Sequence, residues 1–155
     1  KGKIIETEAY IGPKDKASHA YLNKKTKRNW IEFEEGGYVY IYLVYGMYYQ
    51  LNIVTYLKNK PECVLIRAVI PYLFQNNKLI LLDKKLTNGP GKICKFFQLD
   101  KSFYGEDLSK SKRLYLEDLN EKIKKEEILK GPRINIDYAG EYWKNIPWRF
   151  FLKNK

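Results

Sequence analysis

Two glutamates, a tyrosine and the chain's only histidine lie in one short segment near the start of the sequence. Glu6, Glu8 and Tyr10 alternate along residues 3–10, and side chains two positions apart in a β-strand project from the same face. His19 follows nine residues after Tyr10. The segment allows two interpretations: a solvated strand face, or a carboxylate that lies in a pocket beside an aromatic wall and activates water.

The uncharged stretch YVYIYLVYGMYYQLNIVTY, residues 38–56, is the second candidate. Its β-branched and aromatic residues, its many tyrosine hydroxyls and its internal polar residues favour strands over a membrane-spanning helix. We predict a hairpin with Tyr45-Gly46-Met47 at or near its tip. Tyr40 and Tyr42 share a strand face. They are either core residues or a platform on which bases stack, with a wedge at the tip that enters a DNA groove.

Arg67 is the third candidate, because it interrupts the otherwise apolar stretch PECVLIRAV, residues 61–69, which predicts a strand. A buried arginine requires a carboxylate or a similarly dense set of acceptors. Glu6 or Glu8 is the natural partner. The sequence leaves open whether such a pair would be structural or catalytic.

The strands and helices predicted to position these residues form one α+β domain over residues 1–155, with many strands and a few short helices. Closing strands are predicted at residues 133–136 and 148–152, and a further strand at 113–119. Residues 120–130 have a helical pattern, and residues 73–86 fit helix or strand equally. Residues 88–91 predict a turn and residues 92–99 a short helix, and the amides of the segment NGPGK, residues 88–92, could alternatively bind phosphate. This segment lacks the spacing of a Walker A loop.

The composition restricts the class of partner. Lys and Arg number 29 against 18 Asp and Glu, a net charge of +11. This excess indicates a nucleic acid, an acidic membrane surface or an acidic protein. Cys63 and Cys94 are the only cysteines, too few with one histidine for a structural zinc site. They suggest no disulfide framework, which fits a reducing compartment such as the cytoplasm or the nucleus.

Several motifs follow the order found in one enzyme family. They are ETEAY at residues 6–10, His19, YIYLVYGMYY at 40–49, Asn52, VLIRA at 64–68, NGPGK at 88–92 and RINIDYAGEYW at 133–143. Over nearly its whole length the chain resembles the alkyladenine (3-methyladenine, methylpurine) DNA glycosylases of the human-like type. The resemblance implies a curved antiparallel sheet, surrounding short helices and a protruding β-hairpin. It also implies excision of alkylated or deaminated purines from double-stranded DNA by a monomer, without metal or organic cofactor.

The resemblance also implies roles in the hydrolytic step. Glu8 matches the general base that activates the attacking water. Arg67 matches the arginine that helps to hold this water, and the backbone carbonyl of Ile134 matches a third ligand of the same water. The carboxylate of Glu8 would also stabilise the positive charge that develops on the sugar as the base leaves.

The remaining roles concern the damaged nucleotide. Tyr10, His19 and Tyr42 match the aromatic walls around a base that has been flipped out of the duplex. Asn52 matches the residue that crowds the 2-amino group of a purine and so disfavours normal guanine. Tyr45 matches the residue that fills the hole left in the stacked helix.

Some features of the sequence differ from the family pattern, and two other functions stay open. Relatives usually have a further segment before the first strand, and Tyr142 stands where tryptophan is usual. One alternative is a glycosylase with lyase activity that forms a Schiff base through a lysine amine. The other is a non-catalytic nucleic-acid-binding module, which would leave Arg67 and the Glu8 face without a role.

Overall fold

The computed structural model describes residues 1–76 and 78–153 and confirms the α+β class. Its described strands form one antiparallel sheet in the order β2-β3-β4-β1-β7-β6, with β5 paired to the far end of β4. The strands are β1 (Gly2–Tyr10), β2 (Val39–Val44), β3 (Tyr48–Thr55), β4 (Glu62–Gln75), β5 (Lys78–Leu81), β6 (Ile128–Gly131) and β7 (Arg149–Leu152).

The helices of the described chain are short. Two are α-helices, α1 (Pro90–Phe96) and α2 (Glu141–Asn145), and the rest are single 3-10 turns. These turns are Gly12–Lys14, Tyr21–Asn23, Trp30–Phe33, Lys84–Leu86, Lys101–Phe103, Lys125–Glu127 and Asp137–Ala139. Within residues 1–76 and 78–153 no helix is both long enough and apolar enough to cross a bilayer.

Strand alternation gives the sheet two different faces. On one face, aliphatic side chains from β2, β3 and β4 pack against α1 and form the main core; its buried members are Val39, Ile41, Leu51, Ile66, Val69, Ile93, Cys94 and Leu99. Each such side chain contributes about 1.5–3 kcal/mol by leaving water. On the other face a second cluster surrounds Tyr40, with Ile31, Val54 and Cys63, and includes Tyr10 and Tyr42.

The pairing of β1 with β4 contains two irregularities next to the acidic residues. The register skips Ile5 on β1, between Ile4 and Glu6, and skips Arg67 on β4, opposite the step from Glu6 to Thr7. A bulged residue has no direct partner across the ladder, and bulges commonly redirect a side chain beside a functional site. At this bulge the guanidinium of Arg67 is directed towards Glu6 and Glu8 on β1.

Several predicted elements are confirmed. They are the first strand, the hairpin of β2 and β3 with residues 45–47 between the strands, the strand after Pro61 and the closing strand β7. Helix α1 starts at Pro90, earlier than expected, because the fixed φ of proline suits the first helical position. It ends at Phe96 rather than at residue 99. For residues 73–86 the sequence fits helix or strand equally, and the structure contains both. This segment includes the end of β4, the strand β5 and a short 3-10 helix.

Three predicted elements are wrong. Residues 113–119 are irregular, and residues 120–130 form a loop, one 3-10 turn and the start of β6 rather than a helix. Residues 133–136 form a bend in place of a strand. The bend contains Asn135 with φ of +58°, and Arg133 is directed into the interior. This geometry turns the chain away from the sheet just before the Asp137–Ala139 turn.

Gly12 ends β1 under a strict steric constraint. Its φ is +45°, and a Cβ atom added to it would lie 2.3 Å from the backbone oxygen of Pro61. Gly46 also has a positive φ, but an added Cβ would meet nothing within 4 Å. We predict that Gly12→Ala lowers the free energy of unfolding by more than twice the loss for Gly46→Ala, which adds only left-handed strain of about 1 kcal/mol. Urea denaturation of both variants measures this difference, and equal losses would contradict it.

Candidate active site

Glu8 is fully buried in the middle of the sheet and is held by donors from three parts of the chain. Its Oε1 accepts a hydrogen bond from the backbone N–H of Ile134 at 2.8 Å and lies 3.4 Å from Nη1 of Arg67. Its Oε2 accepts a hydrogen bond from the hydroxyl of Tyr10 at 2.9 Å. An ionised carboxylate accepts only and has about four lone-pair positions, so this set of donors suits the charged form and leaves capacity for a water molecule.

Arg67 connects Glu8 with the neighbouring acidic residue of β1. Its Nε lies 3.6 Å from Oε1 of Glu6, which also accepts a hydrogen bond from Nη1 of Arg149 at 3.0 Å. Glu6 therefore belongs to an ion-pair network that joins β1, β4 and β7. The predicted pairing of Arg67 with Glu6 or Glu8 is confirmed for both carboxylates, which leaves one guanidinium between two acidic groups.

A buried ion pair fixes the loop that carries Ile134. Nη1 and Nη2 of Arg133 bind the two carboxylate oxygens of Asp15 at 2.5 and 2.9 Å, and both side chains are fully buried. Nη1 also donates to the backbone oxygen of Ala9 at 3.1 Å. The guanidinium lies 4.7 Å from the ring centre of Tyr10 and 5.0 Å from that of Trp148. Arg133 thus links the loop after β6 to the end of β1.

A pocket opens on the tyrosine face of the sheet, beside Glu8. The pocket is open, and its empty space counted together with the adjoining solvent is about 310 Å³. Its lining residues are Tyr10, Ala17, His19, Glu32, Tyr40, Tyr42, Asn52, Cys63 and Tyr138. We call the four most deeply buried polar members, Glu32, Tyr40, Asn52 and Cys63, the pocket floor. Tyr10 connects the pocket with Glu8, because its ring lines the pocket and its hydroxyl donates to the Glu8 carboxylate.

The aromatic walls are fixed by contacts with one another. The ring of His19 meets that of Tyr42 edge-on, with 4.8 Å between centroids, and its Nδ1 is 2.6 Å from the hydroxyl of Tyr40. Arg28 places its guanidinium 4.7 Å from the centre of the Tyr42 ring. Although His19 is exposed as a whole residue, burial of its ring, aided by the charge of Arg28, lowers its pKa to about 4. His19 is therefore neutral at physiological pH.

The pocket floor is polar but carries no exposed group. Asn52 is 1% exposed, and its Nδ2 donates to the backbone oxygens of Tyr40 at 3.2 Å and Gln50 at 3.4 Å. Burial raises the pKa of Tyr40 and that of the Cys63 thiol, so both stay protonated near neutral pH. Among the described residues, no group of three or more His, Cys, Asp or Glu side chains could hold a metal ion.

Tyr45 lies apart from the pocket, in the turn between β2 and β3. Its side chain is 81% exposed, and its φ of +52° is followed by a φ of +68° at Gly46. Two successive positive φ angles are characteristic of the type I′ turns that close hairpins. A tyrosine is strained in this conformation, and such strain concentrates at functional sites.

The structure thus brings most of the predicted site residues together. Tyr10, His19, Tyr42 and Asn52 line one pocket, and Glu8, Arg67 and Ile134 form a cluster joined to it through Tyr10. Their roles stay predictions, as does that of Tyr45. Sequence reasoning missed Glu32 and Tyr138 as lining residues, although Tyr138 lies within the motif RINIDYAGEYW. It also missed the pair of Asp15 and Arg133, which are 118 residues apart and give no local signal.

Comparison with known proteins identifies the family. A sequence model of the family described as Methylpurine-DNA glycosylase (MPG) matches residues 1–155. The chain belongs to this family. The resemblance expected from the ETEAY and YGMYY motifs is therefore confirmed, and the protein is a DNA glycosylase, an enzyme of base-excision repair.

Bacterial relatives are similar to this glycosylase over nearly its whole length, and each bears the name "Putative 3-methyladenine DNA glycosylase". The protein of Clostridium novyi is 47% identical over 165 residues, which cover 99% of this chain and 80% of the relative. That of Natranaerobius thermophilus is 43% identical over 158 residues, covering 98% and 79%. That of Bdellovibrio bacteriovorus is 44% identical over 156 residues, covering 99% and 79%.

Loss of the buried cation should destabilise the glycosylase strongly. We predict that Arg133→Met lowers the free energy of unfolding by about 3–5 kcal/mol, because it leaves the carboxylate of Asp15 buried without a counter-charge. Lys58→Met is the matched control, because Lys58 pairs with Glu34 at the surface, and such pairs contribute about 1 kcal/mol or less. Urea denaturation measures both variants. A similar loss for Arg133→Met and Lys58→Met would show that the buried pair has no special weight.

Proposed function

We propose that the enzyme hydrolyses the N-glycosidic bond of alkylated or deaminated purines in double-stranded DNA, the class of 3-methyladenine, 7-methylguanine and hypoxanthine. The product would be an abasic site. One observation carries this proposal: a fully buried carboxylate, Glu8, is held by two hydrogen-bond donors and an ion pair with Arg67, next to an aromatic pocket that opens to solvent. The names of the bacterial relatives support the alkylated purine as the type of substrate.

The target bond is hidden inside the duplex, so the nucleotide must first leave the stack. Flipping a base costs a few kcal/mol, and less where damage has weakened its pairing. Stacking against Tyr10, His19 and Tyr42 would offset this cost, since a base gains ~1–3 kcal/mol from contact with an aromatic side chain. The neutral state of His19 adds no positive charge that would repel a cationic alkylated base.

The chemical step would use Glu8 twice. As the bond between the sugar carbon and the base nitrogen breaks, its electron pair leaves with the base and positive charge develops on the sugar. The carboxylate stabilises this charge and takes a proton from the water that attacks the sugar carbon. Arg67 and the backbone carbonyl of Ile134 would hold that water. No metal or organic cofactor enters this step.

Two further residues would govern binding. Tyr45, exposed at the hairpin tip, would enter the duplex and fill the space of the extruded nucleotide. Asn52 is fixed on the pocket floor by two backbone acceptors, so it cannot move away from a bulky substituent without losing them. It would crowd the 2-amino group of guanine and so disfavour the undamaged base.

The setting of the reaction follows from charge and composition. The net charge of +11 would attract the phosphate backbone and make binding salt-dependent. We take a monomer as the active form, as the family resemblance implies. Cys63 and Cys94 are free thiols, in keeping with a reducing compartment such as the bacterial cytoplasm.

Glu8→Gln is the direct test of the hydrolytic mechanism. Glutamine keeps nearly the same shape but cannot accept a proton from water, so we expect DNA binding to persist and excision to fall by ~10²–10⁴-fold. Single-turnover assays on duplexes with 7-methylguanine or hypoxanthine measure the rate. Glu6→Gln is the matched control, because Glu6 also pairs with Arg67 but accepts a hydrogen bond from Arg149 on β7; its rate should fall far less.

Two results would remove Glu8 from this role. One is an excision rate for Glu8→Gln within about tenfold of the parent enzyme, since loss of a general base costs more than that. The other is a covalent complex trapped by borohydride on the damaged duplex, which would indicate a lysine Schiff base and a lyase. The parent enzyme is expected to give no such complex.

Tyr45→Ser separates a DNA wedge from a structural tyrosine. We expect a melting temperature close to that of the parent, because the side chain is 81% exposed. We also expect much weaker binding to a damaged duplex and a smaller fluorescence change when ethenoadenine is flipped. Tyr56→Ser is the control, since Tyr56 is also exposed, with φ of +70°, but follows the opposite end of β3. Equal effects of the two substitutions on flipping would count against the wedge.

A further inference from the structure

Glu32 lies on the pocket floor, and the mechanism above gives it no task. Glu32 belongs to the 3-10 turn Trp30–Phe33 and is 1% exposed. It lines the pocket together with Asn52 and Cys63. Acidic side chains are almost never fully buried unless they are paired. Its position therefore requires a physical explanation.

The partners of Glu32 do not match a charged carboxylate. Its Oε1 is 3.3 Å from Sγ of Cys63, a weak donor, and within residues 1–76 and 78–153 its Oε2 has no hydrogen-bond partner. Within the same residues no lysine or arginine forms an ion pair with it. Glu8, by contrast, has two hydrogen-bond donors and an ion pair with Arg67. A buried carboxylate without compensation is strongly disfavoured, and the group takes up a proton instead.

The surroundings of Glu32 support this protonated state. Burial raises its pKa to about 7, and the Cys63 thiol, Asn29 and the charge of Arg28 offset only part of that effect. The other titratable groups that interact with Glu32 are phenols whose own pKa values are raised mainly by burial. They are Tyr40, Tyr42 and Tyr104. These groups are neutral near pH 7, and His19 across the pocket is neutral as well.

We propose that Glu32 is a proton donor to the extruded base, which extends excision from cationic to uncharged purines. The proposal rests on the function proposed above, since it places a base in this pocket. In its protonated form the Glu32 carboxyl presents an O–H group to the edge of the purine that faces the floor. A purine offers acceptor atoms there, either ring nitrogens or an exocyclic oxygen. The side chain thereby supplies the acid that hydrolysis of a neutral base requires.

The proton balance of the step is complete with two carboxyl groups. The Glu32 carboxyl gives its proton to an acceptor atom of the purine as the bond to the sugar breaks and its electron pair moves into the base. Water forms the new bond to the sugar carbon and loses a proton to Glu8. The base leaves neutral, and Glu32 regains a proton from solvent. A base that already carries positive charge needs no proton, so its excision does not depend on this donor.

The test compares two lesions in single-turnover assays. Glu32→Gln preserves the shape of the side chain and a hydrogen-bond donor but removes the transferable proton. We expect its excision of hypoxanthine to fall at least about tenfold more than its excision of 7-methylguanine, because loss of a general acid costs ~10²–10⁴-fold where proton transfer is needed. Glu35→Gln, an exposed neighbour on the same segment, is the control and should leave the ratio of the two rates unchanged.

A second measurement needs no variant. In the parent enzyme, the ratio of hypoxanthine to 7-methylguanine excision should decrease as pH rises through about 7, the pKa of Glu32. The role of Glu8 is common to both reactions and cancels in the ratio. Because burial raises the pKa of Glu32 from its ordinary value of 4.5 to about 7, the folded state loses stability as pH rises from the first value to the second, and no further above it. The melting temperature of the parent should therefore fall relative to that of Glu32→Gln between about pH 5 and 7.

Each outcome decides one of the two proposals. Equal losses for the two lesions in Glu32→Gln overturn the role of Glu32, and so does a rate ratio that is flat from pH 6 to 8. A parent enzyme that excises 7-methylguanine but leaves hypoxanthine also overturns it, while the proposed excision of alkylated purines stands. A parent that binds both duplexes and excises neither base overturns the proposed function itself. If Glu32→Gln does not fold, the pH dependence of the parent decides.

Discussion

The candidate site depends on one buried interaction, the pairing of Arg133 with Asp15. Removing both charges from water is costly, and the cost is recovered only with nearly ideal geometry. Here the guanidinium binds both carboxylate oxygens, donates to the backbone oxygen of Ala9 and contacts the rings of Tyr10 and Trp148. This pair holds the loop after β6 against the end of β1. The neighbouring N–H of Ile134 can therefore reach Glu8, and the position of Tyr10 is fixed by the same contact.

The two faces of the sheet have different tasks: one forms the main hydrophobic core, and the other carries the candidate site. The face towards α1 is aliphatic and provides most of the hydrophobic stabilisation, while the opposite face carries the tyrosines. A tyrosine ring buries much apolar area and still offers a polar end that hydrogen bonds can orient. Tyr10 bonded to Glu8, and Tyr40 in contact with His19, both use that property. A phenylalanine face would be equally apolar but would leave Glu8 and His19 without these contacts.

Local patterns predicted the hairpin and the first strand well, because alternation in β1 and the turn at Gly46 are encoded within a few residues. They also led to Glu6 or Glu8 as partners of Arg67, since a buried cation demands an acid. The bulge at Arg67 and the bend at residues 133–136 were not predictable in this way. Both arise from contacts between distant segments. Glu32 was missed for the same reason: within the sequence EFEEGG it resembles an exposed acidic run, and only the packed fold encloses it.

The two buried carboxyl groups of the site differ in their surroundings, and this difference assigns their proposed chemistry. Glu8 has an arginine, a backbone N–H and a phenol directed at it, all of which favour a carboxylate that can accept a proton. Burial raises the pKa of Glu32, and the Cys63 thiol, Asn29 and the charge of Arg28 offset only part of that effect, so its surroundings favour a carboxyl that can give a proton. Acid and base roles are commonly separated in this way, by environment rather than by residue type. A pocket so arranged could serve a charged base through Glu8 alone and a neutral base through both groups, so the range of purines excised would be set at its floor.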